Sequence, residues 1–316
     1  MARYITISCL GPRPLVVPKD VPPQETVERM MEHWRSQLER VLPDGPDLIV
    51  LPEACDRPDK VHYPQQQRMN YYRTRGSQIR EFFSRIAREH RCYIAYASHT
   101  EAADGSWRNA VQLIGRDGVV EGIYHKNHLV PDEYYKDGIL YGKAAPVFDC
   151  DFGKVACAIC FDLNFDELRE QFVREKPDVI VFPSMYHGGI MQNYWAYSCR
   201  AYFAGAVAGL PCTVVSPLGE EIARSTNYYP FITARVNLDC EVLHIDRNGA
   251  KFSEMKLKYG TDIRIHDPGF LGSVLLTSES ESVSVKEIIE EYGLERLDDY
   301  FGRALAERHA PGHIEL

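Results

Sequence analysis

What this chain lacks narrows its function before any motif is read. No apolar stretch approaches the roughly 18 residues that a membrane-spanning helix requires. The opening residues, Met1 to Ser8, alternate like a strand and carry neither the apolar block nor the small-residue cleavage site of a secretory leader. Neither membrane insertion nor export is expected. Basic charge is in deficit: 36 Lys and Arg stand against 45 Asp and Glu, a net charge of −9. A nucleic-acid surface needs the opposite imbalance, clustered on one face, so no nucleic-acid partner is expected. No stretch rich in Pro, Gly or Ser divides the chain as a linker would. Cysteine is present nine times, an odd number spread through the chain. That distribution suits a reduced, cytoplasmic protein better than a disulfide scaffold. Most of these thiols are expected to fill the core as small hydrophobes.

What is present is an alternation of strand-like and helix-like segments. The 316 residues allow two domains of about 150 residues or one large α/β unit. Residues 2–9 read as a strand. Gln24 to Leu42 carries Val27, Met30, Met31, Trp34, Leu38 and Val41 at helical spacing. Leu48 to Leu51 is a short apolar run of the kind buried on both faces of a sheet, and it stops at Pro52-Glu53. A helix over 77–90 and a strand over 92–98 follow. Two hairpins are predicted, one turning at Arg116-Asp117-Gly118 and one at Asp151-Phe152-Gly153 with its second strand running to Cys160. Then come a helix over 165–174, the strand Val179 to Phe182, a helix over 193–207 and a strand over 212–215. βαβ units mixed with hairpins predict an α/β protein with a mixed sheet, or two sheets, covered by helices. The character changes near residue 270, so residues 1–270 are taken as the main domain. Residues 271–316 are taken as an extension that packs on the body or on a partner subunit. Ile288, Ile289, Tyr292, Leu294 and Leu297 there form apolar helical faces with no evident place in the main domain, and a homo-oligomer is expected on that ground.

Glu53, Lys126 and Cys160 share a setting, since each lies at or just past the C-terminal end of a predicted strand. Sites in open α/β sheets form in the crevice outside those ends. Taken singly, the glutamate reads as a capping or salt-bridge residue, the lysine as a loop residue and Cys160 as core filler. Strand alternation sends Cys157 and Cys160 to opposite faces. Together the three make coherent chemistry: a thiol that loses its proton to a carboxylate, a carboxylate that passes it to a leaving amine, and an ammonium aimed at a developing oxyanion. That set suits attack on an amide or nitrile carbon through a thioester.

The surrounding residues carry a resemblance. Leu48-Ile49-Val50-Leu51-Pro52-Glu53, Tyr124-His125-Lys126-Asn127-His128-Leu129 and Ala158-Ile159-Cys160-Phe161-Asp162-Leu163-Asn164-Phe165 resemble, in order, the three motifs of the nitrilase superfamily of carbon–nitrogen hydrolases. Pro183-Ser184, Arg200-Ala201 and Ser216-Pro217-Leu218-Gly219 add fainter echoes. The resemblance covers roughly residues 3–240. It implies a four-layer α-β-β-α sandwich with mixed sheets, dimers or larger assemblies, and no cofactor. It implies a second glutamate, matched by Glu133, that orients Lys126 or assists proton transfer, although Glu133 also reads as part of a solvated acidic loop beside Asp132. The backbone N–H of Phe161 is implied as a second oxyanion donor. Phe161-Asp162 after the cysteine is closer to the amidase and carbamoylase branches than to true nitrilases. Asn164 and Asp166 stand where many amidases have Arg and Pro, and Tyr202-Phe203-Ala204 replaces the usual residues after Arg200-Ala201; both leave the substrate subclass open. Tyr134, Tyr135, Tyr186, His187 and Trp195 fall in segments expected to border the pocket, though aromatics at such spacing are as readily core. His125 and His128 flank Lys126, but no third ligand has metal spacing, so no metal is expected. The expected activity is hydrolysis of a non-peptide C–N bond of a small amide or N-carbamoyl compound, releasing ammonia or an amine. The alternatives are nitrile hydrolysis, acyl transfer to an amine, and a catalytically silent binding protein on the same fold.

Overall fold

Apolar spacing and turn chemistry place most elements where the sequence predicts them, in a computed structural model that describes residues 1–59, 63 and 65–315. The elements run β1 (Tyr4–Leu10), α1 (Pro23–Leu38), β2 (Leu48–Val50), α2 (Gln65–Arg75), α3 (Gln78–His90), β3 (Tyr93–Glu101), β4 (Trp107–Ile114), β5 (Val120–His125), α4 (Pro131–Tyr135), β6 (Phe148–Cys150) and β7 (Gly153–Cys157). They continue with α5 (Asp166–Glu175), β8 (Val179–Ser184), α6 (Ile190–Cys199), β9 (Tyr202–Val207), β10 (Thr213–Val215), β11 (Glu221–Arg224) and β12 (Phe231–Asn237). The remainder is β13 (Cys240–His244), α7 (Gly249–Tyr259), β14 (Ile263–His266), β15 (Ser273–Ser278), α8 (Val285–Tyr292) and α9 (Leu297–Arg308). The chain forms two compact units: Ile5–Val236, and a smaller one made of Met1–Tyr4 with Asn237–Leu316.

In the larger unit one sheet has the order β12-β1-β2-β3-β4-β5 and the other β11-β10-β9-β8-β7-β6. Both are mixed. β1, β2 and β3 are parallel, as are β7, β8 and β9, while β4, β5, β6, β10 and β11 add antiparallel pairs. β2 lies against β8 and β9 of the opposite sheet. Helix α1 turns Val27, Met30, Trp34 and Leu38 inward at 3- and 4-residue steps, onto a core with Ile49, Phe83, Ile94 and Tyr96 of the first sheet and α3. Burying each such side chain stabilises the unit by about 1.5–3 kcal/mol. On the far side α6 packs on β9, and Trp195 of α6 meets Phe172 of α5 edge-on. The result is the expected helix–sheet–sheet–helix layering, and it explains why β2 and β8 read as unbroken apolar runs: every residue in them is buried.

Two boundaries differ from the sequence reading. The helix predicted over 193–207 is α6 followed by β9. Arg200 adopts a left-handed φ of 55° and ends the helix. Tyr202–Val207 then pair in parallel with β8 and are wholly buried, so a place inside a sheet overrides local helix propensity. The strand predicted to reach Cys160 stops at Cys157, because the backbone turns over at Cys160.

The smaller unit is a β13-β15-β14 antiparallel sheet with α7, α8 and α9. Ser284 and Glu287 close the start of α8 as a reciprocal capping box. Residue 270 falls inside this unit, between β14 and β15. Ile288, Ile289 and Leu294 are buried in its own core with Leu243, Met255 and Leu276, and Leu297 is buried as well. The faces that the sequence reading left for a partner are therefore occupied within the chain, and that reason for expecting assembly falls away.

Candidate active site

Two strand ends, a strand and a short helix bring four polar side chains to one place. Glu53 follows β2 and is buried. The residue after it, Ala54, has a left-handed φ of 45°, a conformation that a non-glycine residue holds only where its surroundings enforce it. Here they do: Cys55 N–H donates to Ala97 O at 2.9 Å, Trp34 Nε1 to Cys55 O at 3.0 Å, and Arg75 Nη1 to the Asp56 carboxylate at 2.6 Å. Lys126 lies one residue past β5, its N–H held by Asn109 O at 2.8 Å. Its Nζ donates to Glu53 Oε1 at 2.8 Å and to Glu133 Oε2 at 2.7 Å, with the ammonium side chain only 1% exposed. Glu133 sits in α4 and also accepts from Val130 N–H at 2.9 Å. Asn109 completes the group, its Nδ2 donating to Glu53 Oε1 and Glu133 Oε1 at 2.8 Å each.

Cys160 opens a 3-10 turn over Cys160–Asn164 with a left-handed φ of 49°. Its thiol is within hydrogen-bonding reach of the Glu53 carboxylate, the Ser184 side chain and the Met185 backbone. N–H groups at the start of such a turn, that of Phe161 among them, have no acceptor within it. Cys157 is fully buried in β7. The two cysteines have C-x-x-C spacing, yet both are free and burial pushes both thiols up, with Cys160 at about 12. The attacking thiol of a redox dithiol is shifted the other way.

The charges are coupled through space. Burial alone would lower the lysine pKa, but Glu53 and Glu133 outweigh it and hold Lys126 above its ordinary value, as an ammonium. Burial alone would raise Glu53, but the Lys126 charge and hydrogen bond outweigh it and hold the carboxyl below its ordinary value. Burial beside a thiol would by itself leave Glu53 with a raised value. The 2.8 Å contact with Lys126 reverses the sign.

Asp162, two residues past the cysteine, joins the lysine loop to the cysteine turn. It is fully buried; its carboxylate accepts from Tyr124 OH at 2.7 Å, Ile159 N–H at 2.9 Å, and His128 N–H and Nδ1 at 2.8 and 2.9 Å. His128 Nε2 reaches Glu167 at 2.7 Å and its ring stacks on Phe165 at 4.0 Å. His128 is thus a brace between two carboxylates. Asn109 and Asp162 are the members that motif reading leaves without a role. Asn109 has no local signal in the sequence of β4; for Asp162 the signal is a carboxylate within the cysteine motif. Of the aromatic residues expected at the pocket, Tyr186 is half-buried and donates from its OH to Asn164 at 3.2 Å, and Phe161 packs on Phe165. Tyr134 is exposed beside Tyr135 and Tyr141. His187 accepts from Gly189 N–H through Nδ1, and its buried Nε2 has no partner among the described residues. Trp195 is fully buried against Phe172, as a packing residue between helices.

The brace makes a prediction that needs no substrate. Burial would lower the His128 pKa, but the hydrogen bonds to Asp162 and Glu167 outweigh it and raise it. A raised cation contributes stability that is complete below its unfolded value, about 6.5, and is lost as pH climbs through the higher folded one. The melting-temperature gap between wild type and His128→Gln is therefore expected to be widest below about pH 6.5 and to narrow as the pH rises through the raised folded value. A gap that holds constant across that range removes the charged brace.

Carboxylate, ammonium and thiol thus converge past the ends of β2, β5 and β7. A family model of carbon–nitrogen hydrolases matches residues 15–229. The chain belongs to that family, within the nitrilase superfamily. It is 27% identical over 218 residues to an omega-amidase, NIT2-B, of Xenopus laevis, covering 61% of this chain and 78% of the relative. Among solved structures it matches Nit3 of Saccharomyces cerevisiae at a TM-score of 0.62 and 19% identity, covering 74% of this chain and 90% of that one. It also matches an amidase variant from Nesterenkonia sp. AN1 at 0.61 and 16%, covering 81% and 96%. That variant carries the acetamide moiety of fluoroacetamide covalently at its active-site cysteine.

Proposed function

We propose that this protein hydrolyses a small linear amide or N-carbamoyl compound through a thioester on Cys160. The observation that carries the reading is the buried Lys126 ammonium held between Glu53 and Glu133 at 2.8 and 2.7 Å, with the Cys160 thiol facing Glu53. The resting pair is a carboxylate and a neutral thiol, since Glu53 is lowered and Cys160 raised. Proton transfer thus accompanies attack rather than preceding it. Sγ bonds to the carbonyl carbon as its proton passes to Glu53. The carbonyl oxygen takes the electron pair and rests against Lys126 Nζ and the Phe161 N–H. Collapse expels the nitrogen, which takes the proton from Glu53 and leaves as ammonia or an amine. Water then attacks the thioester, giving its proton to Glu53, and the thiolate leaves with that proton to regenerate the thiol. Glu133 and Asn109 hold Lys126 and Glu53 in register throughout. The omega-amidase relative and the cysteine adduct of the Nesterenkonia amidase support the amide reading.

The test is a panel of aliphatic amides, ω-amides of dicarboxylic acids and N-carbamoyl amino acids, scored for ammonia release and by intact mass for an acyl group on Cys160. Release with a Cys160 adduct is expected. A panel without turnover or adduct leaves the silent binding protein standing, and an acyl group on another cysteine overturns the mechanism.

A further inference from the structure

We propose that the protein carries a second small-molecule site, outside the catalytic group, that binds an anionic phosphate or carboxylate group. It is a pocket of about 500 Å³ framed by the turn after β1, the outer side of α1, the turn after β9 and the loop between β11 and β12. That volume is ordinary for a ligand site. Its lining holds three basic side chains, Arg13, His33 and Arg40, and no Asp or Glu.

The charge pattern runs against the rest of the molecule. Carboxylates outnumber Lys and Arg, 45 to 36, and Arg68, Arg75, Arg116 and Arg296 elsewhere are ion-paired. Among the described residues neither Arg13 nor Arg40 has a carboxylate within ion-pair distance; Arg40 instead lies 5.9 Å over the Phe231 ring. His33, Gln37 and Arg40 follow one another at steps of four and three, which brings them to one side of α1 and its extension. Burial and the neighbouring Arg40 hold the His33 imidazole below its ordinary pKa, so two permanent cations face the space with a neutral ring beside them. Two guanidinium forks supply planar paired donors that match carboxylate and phosphate oxygens.

The frame is built before any ligand arrives. Gly209 N–H donates to Gly11 O at 2.9 Å and Gly11 N–H to Pro230 O at 2.7 Å, so three of the framing segments are stapled together. The loop between β11 and β12 is also closed on itself, with Thr226 N–H donating to Tyr229 O at 3.1 Å and Tyr228 N–H to Thr226 Oγ1 at 3.2 Å. The Tyr228 ring, 81% exposed at the rim, offers a flat apolar surface to whatever carries the anion. None of these residues belongs to the catalytic group, and the site does not depend on the proposed amide chemistry.

Calorimetric titration of the full chain at fixed ionic strength tests this with inorganic phosphate, AMP and succinate, on wild type and on Arg13→Gln/Arg40→Gln. Saturable binding of at least one probe is expected, weakened about tenfold or more by each substitution, with amide turnover in the absence of the probe unchanged. Tighter binding of AMP than of phosphate assigns a nucleotide-type ligand; preference for succinate assigns a dicarboxylate. If the double variant melts lower than wild type, the comparison rests on the single exposed Arg13→Gln. Equal affinity in wild type and variant, or no saturable binding of any probe to wild type, overturns the site.

Discussion

Cys160→Ala is expected to abolish amide turnover, while Cys157→Ala retains it within a few fold. The two thiols are three residues apart, and both are buried enough to be pushed up in pKa. What separates them is backbone geometry. Cys157 is a strand residue with no exposed surface, whereas Cys160 is turned out of the strand at φ 49° and faces Glu53. Loss of a covalent nucleophile costs on the order of a millionfold in turnover. Loss of a buried thiol at Cys157 costs about 1 kcal/mol of stability and none of the chemistry. Initial rates of ammonia release by both variants, with far-UV circular dichroism as a fold control, decide it. An active Cys160→Ala, or an inactive but folded Cys157→Ala, would refute the assignment.

Glu53→Gln is expected to separate two properties of the same thiol. The substitution keeps shape but removes both the base and a negative charge. Without the base, acylation by an amide in a single turnover falls by about 10²–10⁴-fold. Without the charge, the thiolate becomes easier to form, because Glu53 raises the Cys160 pKa while Lys126 lowers it. The pH midpoint for alkylation of Cys160 by iodoacetamide therefore shifts down from about 12, even as amide acylation collapses. A variant that acylates at the wild-type rate near neutrality disproves Glu53 as the base. An alkylation midpoint that moves up disproves the charge coupling. Lys126→Gln is a poorer probe: it removes the oxyanion partner, worth about 3–4 kcal/mol, but also strands the buried Glu53 carboxylate and the half-buried Glu133, a structural cost of similar size.

The candidate site was legible where function coincides with a strand end. Glu53, Lys126 and Cys160 each follow a strand-like run, and β2, β5 and β7 bring them together although β3 and β4 separate the first two and the third lies in the other sheet. Glu133 was reachable only through the family resemblance. Asn109 was not reachable at all, since a single amide inside β4 carries no local signal; it matters only because β4 lies between the strands that bring Glu53 and Lys126. Trp195 illustrates the opposite error: an aromatic in a suggestive segment fills the space between α5 and α6.

The sequence by itself determined the layers and the chemistry on offer. Runs of apolar residues between βαβ turns and hairpins leave few arrangements other than two mixed sheets under helices, since every such face has to be buried. Which side chains act as one unit was decided only by tertiary structure. The segment over 200–207 became a strand because β8 offered it a hydrogen-bonding edge. Glu53 became the more acidic partner because Lys126, 73 positions away in the chain, came to rest 2.8 Å from it. Ionisation depends on through-space distance and on solvent exclusion, and neither is a property of a residue's neighbours in sequence.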